Sequence, residues 1–104
     1  MRQNKIPKSI YIFGRKFKIK TTNGSGGSAN TATCEIEIGL KYPKDRADII
    51  IHEVLEVILL ERGHRYYRYS GDVNENYHFS FNHNEFENIC TDLAGAIKQL
   101  RRCL

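Results

Sequence analysis

The hydrophobic positions change rhythm along the chain, and each change marks an element. Ile10 and Ile12, then Phe17 and Ile19, alternate with polar residues on either side of Gly14-Arg15. A period of two predicts half-buried strands, and the glycine predicts a turn or bulge between them. Cys34-Glu35-Ile36-Glu37-Ile38 alternates in the same way and is expected to pair with the earlier strands. Asn23-Gly24-Ser25-Gly26-Gly27-Ser28 reads as a flexible connection. It lacks the Gly-Lys-Ser/Thr ending of a phosphate-binding loop, so a plain hairpin link is expected.

Beyond Pro43 the period lengthens. Ala47, Ile50, Ile51, Val54, Leu55, Ile58 and Leu59 fall at helical spacing, with Asp45 placed as N-cap and Gly63 as stop. This predicts a helix over 45–62. Ile49, Val57 and Leu60 carry the apolar surface nearly all round it, which predicts a largely enclosed helix. Arg65-Tyr66-Tyr67-Arg68-Tyr69 and Tyr77-His78-Phe79-Ser80-Phe81 then predict an aromatic hairpin joined through Ser70 to Asn76.

The last element, from about His83 to Leu100, carries an apolar stripe of Phe86, Ile89, Cys90, Leu93, Ala94, Ile97 and Leu100. Asn82 with Glu85, or Asn84 with Glu87, is suited to a capping box at its start. No internal repeat is present. The expectation is one α+β domain over 1–104. It comprises a small antiparallel or mixed N-terminal sheet, a helix, a β-hairpin and a C-terminal helix.

Composition narrows the function classes. A chain of 104 residues with 40% hydrophobic and 27% charged residues has room for one modest core. The net charge of +4 comes in part from Arg2, Lys5, Lys8, Arg15, Lys16, Lys18 and Lys20, without a run of five or six like charges. That pattern predicts a solvated surface rather than a nucleic-acid face, so nucleic-acid binding is not expected. Cys34, Cys90 and Cys103 form no C-x-x-C pair and are expected as reduced thiols of a cytoplasmic protein. Pro7, Lys8 and Ser9 interrupt any apolar leader, and no apolar run is long enough to span a bilayer, so neither secretion nor membrane association is expected.

The chemistry concentrates in His52-Glu53-Val54-Leu55-Glu56. On a helix, His52 and Glu56 are one turn apart, and Asp45 and Asp48 share their sector, while Glu53 lies about 100° away. No basic residue falls between Ala47 and Glu61 to neutralise these acids. The spacing is that of the zinc-protease pattern H-E-x-x-H with glutamate at the last position, and zinc accepts carboxylate oxygen as well as imidazole nitrogen. His83 and Glu87 repeat the four-residue spacing at the opening of the second helix. If the helices pack side by side with these ends together, His52, Glu56 and His83 would hold zinc and leave a position for water. Glu53 would then act as general base. Glu87 competes with His83 for the third position. A His–Glu pair at this spacing also decorates many ordinary surface helices, and the aromatic set from Tyr66 to Phe81 suits hairpin packing better than base stacking.

The order of elements resembles the small single-domain zincin-like, metalloprotease-like proteins of phage and bacterial mobile elements, in the branch whose active-site helix carries H-E-x-x-E. The resemblance rests on His52-Glu53-Val54-Leu55-Glu56 and on His83-x-x-Phe86-x-x-Ile89-x-x-x-Leu93. It implies zinc on His52, Glu56 and His83, Glu53 as the base, and a peptide or protein as substrate or partner. It also implies that Glu35-Ile36-Glu37-Ile38 is the edge strand that receives an extended peptide. Because Glu56 is anionic, a ligand of its kind weakens the metal's power to acidify water. A non-catalytic member that binds a host protein is the alternative the resemblance allows.

Overall fold

The structure, a computed structural model, describes residues 6–63, 65–67 and 77–104. Arg2, Lys5, His64, Tyr69 and the predicted connection from Ser70 to Asn76 lie outside the described residues, as do the side chains of Arg65, Tyr66, Tyr67, Tyr77 and His78.

Four strands form one sheet: β1 (Ser9–Ile12), β2 (Arg15–Thr22), β3 (Gly27–Asn30) and β4 (Glu35–Gly39). Their order is β1-β2-β4-β3. β1 and β3 run antiparallel to their neighbours, and β2 and β4 run parallel. The fold is α+β with a mixed sheet. Phe13 (φ 54°) and Gly14 (φ 77°) make the tight β1–β2 turn, the left-handed backbone that a two-residue hairpin requires.

A short 3₁₀ turn (Pro43–Asp45) leads into α1 (Arg46–Glu61). Asp45 stands at the N-cap position but makes no side-chain cap bond. The 3₁₀ turn already brings its own N–H to Tyr42 O, so the entry is a continuation rather than the extended start a capping aspartate needs. Gly63 ends the helix as expected, with φ 77° and its N–H donating to Leu60 O. β5 (Arg65–Tyr67) and β6 (Tyr77–Phe79) pair antiparallel, and α2 (His83–Leu100) follows. Of the two capping arrangements, Asn82 with Glu85 forms: Glu85 N–H donates to Asn82 Oδ1 at 2.9 Å, and Asn82 N–H to Glu85 Oε1 at 2.7 Å.

Both helices cover one face of the sheet. The period of two turns Ile10, Ile12, Phe17, Ile36 and Ile38 toward Ile50, Val54, Val57 and Ile58 of α1 and Ile89, Ala96 and Leu100 of α2. The other face carries Tyr11, Lys16, Lys18 and Lys20 beside Glu35 and Glu37, with Lys20 Nζ 3.2 Å from Glu35. No helix among the described residues is long and apolar enough to cross a membrane.

Two arginines fix the end of α1. Arg15 pairs with Glu61 at 2.6 Å and donates to Thr31 O at 2.8 Å, tying the helix to the β3–β4 turn. Arg62 pairs with Asp92 of α2 and lies over the Phe13 ring, 4.6 Å from its centroid. At the other end Arg46 donates to Cys103 O at 3.0 Å. The helices therefore run antiparallel, and the opening turns of α2 extend past the end of α1. This is why Phe86, expected in the buried stripe, is exposed.

Candidate functional site

The glycine-rich stretch is not a slack link. Its last two residues, Gly27 and Ser28, open β3, an edge strand, and Gly27, like Gly39 of β4, is a steric requirement. A Cβ on Gly27 would lie 2.7 Å from Glu37 O and 2.8 Å from Ile49 Cγ2, and one on Gly39 would lie 2.4 Å from Gly24 O. Glycine thus lets α1 press against β3, and lets the β2–β3 connection fold over β4. The strand Glu35–Gly39, expected at the edge, is interior, flanked by β2 and β3.

The two sheet edges are treated differently. At β1, Gln99 of α2 imitates a neighbouring strand: Tyr11 N–H donates to Gln99 Oε1 and Gln99 Nε2 donates to Tyr11 O, both at 2.8 Å. β3 has no second strand beside it among the described residues. Gly39 N–H donates to Gly26 O at 2.7 Å, so by antiparallel alternation Gly27 and Ala29 turn their N–H and C=O groups away from β4. An edge of this kind is a template for an incoming strand.

α1 runs beside that edge and opens a cleft of about 380 Å³, lined by Gly26, Gly27, Asp48, Ile49, His52 and Glu53. His52 lies at its rim with 64% of its side chain exposed, and its Nε2 is 2.9 Å from Glu56 Oε2. The helix is therefore open along this strip, not enclosed. Glu53 is different: it is 7% exposed and makes no hydrogen bond among the described residues. Loss of water pushes its carboxyl above the usual range; the neighbouring His52 opposes the shift and Glu56 adds to it. A buried carboxylate without a donor is costly unless a cation or proton reaches it.

Asp48, His52 and Glu53 thus line one cleft beside β3, and Glu56 joins them through His52. His83 is not gathered with them. The ten-residue step from His52 to Arg62 and the nine-residue step from Asp92 to His83 run in the same direction along the antiparallel pair. At ~1.5 Å per residue they separate the two histidines by roughly 28 Å along the helix axes. Glu87, one turn into α2 and 3.8 Å from His83 Nδ1, lies toward the same remote end. Among the described residues no three His, Cys, Asp or Glu side chains converge as a metal site would require. The spacing within each helix was readable from sequence, but the register between the helices was not. β3 itself was missed because Gly27-Ser28-Ala29-Asn30 has none of the β-branched or aromatic residues that announce a strand.

Comparison of the chain with protein-family models, with curated proteins and with solved structures gives no match.

Proposed function

We propose that the protein is a small binding domain that takes an extended peptide segment of another protein along β3 and receives one of its basic side chains in the cleft of Asp48, His52 and Glu53. The observation that carries this reading is the buried Glu53 carboxyl, which has no hydrogen-bond donor among the described residues, beside a strand edge that none of them pairs. The outward N–H and C=O groups of Gly27 and Ala29 would give the peptide backbone its bonds, as in strand addition. A lysine or arginine head entering the cleft would bring Glu53 the counter-charge and donors it lacks. The three free thiols suit a cytoplasmic setting.

Titration with two blocked pentapeptides, Val-Lys-Val-Lys-Val and Val-Glu-Val-Glu-Val, tests this. The lysine peptide should bind saturably and Glu53→Gln should weaken it about tenfold or more. Equal binding of both peptides, or no binding of either, would defeat the reading.

A zinc-dependent hydrolase with Glu53 as base is the second reading, favoured by the 2.9 Å contact of His52 with Glu56 beside that buried carboxyl. It is the reading that the resemblance to zincin-like domains implies. His52 and Glu56 are the donors that would hold the ion; the third donor assigned to His83 does not fit, since that imidazole lies at the remote end of the helix pair. Zinc content of protein purified without added metal discriminates. Near one equivalent, lost in His52→Ala and retained in His83→Ala, favours this reading. Less than about a tenth of an equivalent at the affinities expected of protein zinc sites counts against it.

A further inference from the structure

The apolar stripe of α2 is wider than its buried face. Ile89, Ala96 and Leu100 enter the core, whereas Phe86, Cys90, Ala94 and Ile97 are exposed. These four follow at steps of four, four and three, so they line up along one side of the helix, about 95° from its buried face. Phe81 stacks on Phe86 with ring centroids 6.2 Å apart and lengthens the strip.

The charges beside this strip have an order of their own. Glu87 follows Phe86 and Lys98 follows Ile97, so both flank the strip on the same side, one near each end. Lys98 makes no ion pair among the described residues.

We propose that α2 pairs with α2 of a second copy of this chain, antiparallel about a two-fold axis that passes between Cys90 and Ala94. In an antiparallel helix pair the same flank of each helix meets its counterpart, and a two-fold contact is self-complementary. The register that sets Cys90 beside Ala94 of the second copy also sets Phe86 beside Ile97, and Glu87 beside Lys98. Apolar and charged positions thus agree on one register, and each charge pair occurs twice. In a parallel pairing opposite flanks meet, so Glu87 and Lys98 would not face each other. The small Cys90 and Ala94 let the helices approach at the axis, while Phe86 fills the space against Ile97. The first turns of α2 extend past α1, so α1 does not obstruct a second helix there. A contact of one helix face per copy is small, and interfaces below about 1,200 Å² are typically weak, so dissociation in the micromolar range is expected.

Sedimentation velocity on the full chain from about 5 to 500 µM is the test, with the charge cycle as its control. The wild type should move from monomer to dimer across this range. Glu87→Lys alone and Lys98→Glu alone each set like charges together twice and should raise the dissociation constant about tenfold. The double variant E87K/K98E restores opposite charges and should return most of that loss. Both substituted positions are on the surface, so circular dichroism should show unaltered folding. A monomer at every concentration would overturn the proposal, and so would a dimer that the single reversals do not weaken or the double reversal does not rescue.

Discussion

Gly27 and Glu53 meet where α1 crosses β3: a Cβ added to Gly27 would stand 3.1 Å from Glu53 Cγ and 2.8 Å from Ile49 Cγ2. The close approach buries the carboxyl and gives the cleft its floor. Gly27→Ala must push strand and helix apart, at a cost of about 1–3 kcal/mol typical of overpacking. Chemical denaturation should show this loss, and lysine-peptide affinity should fall with it. A neutral substitution would mean that the packing is looser than described.

Glu53 links the cleft to pH. Burial raises its carboxyl in the folded state, so between the unfolded and folded pKa values the folded chain holds more protons than the unfolded one. The resulting stabilisation is complete below the unfolded pKa and is lost as pH rises through the folded value. Glu53→Gln removes the titrating group. The variant should therefore gain stability relative to wild type as pH is raised from about 4.5. Urea melts of both proteins across that window check the sign, and parallel pH curves would contradict it.

Gln99 closes the β1 edge with two hydrogen bonds to Tyr11. Gln99→Ala should cost about 1–3 kcal/mol, from two net contributions of about 0.5–1.5 kcal/mol each. It also leaves a second sheet edge open to other chains. Denaturation measures the first effect and concentration-dependent light scattering the second.

Gly95 sits inside α2 with nothing within 4 Å of an added Cβ and without a positive φ. No steric reason keeps glycine there, so Gly95→Ala should stabilise the chain by roughly 0.5–1 kcal/mol. A rise in Tm of a few degrees is the expected readout.

Much of this fold was legible in local pattern. Alternation gave β1, β2 and β4; the run from Ala47 to Leu59 gave α1; Gly63 and Asn82 marked helix ends. These signals are short-range, and each is carried by the residues of the element itself. What local pattern does not contain is register between elements. Nothing near His83 reveals that Arg62 will meet Asp92 and carry the imidazole away from His52. β3 was hidden for another reason. Its glycine is set by a helix that arrives some twenty residues later in sequence, so its meaning lies outside its own segment. Phe86, at the overhanging start of α2, is exposed through the same unread register.

The most direct test of the account is a ¹H–¹⁵N spectrum of the protein titrated with the blocked Val-Lys-Val-Lys-Val peptide. The account predicts saturable shifts at Gly27 and Ala29 and along α1 from Asp48 to Glu53, with Tyr11 and His83 unmoved. Shifts confined to the β1 edge or the start of α2, or none at all, would contradict it.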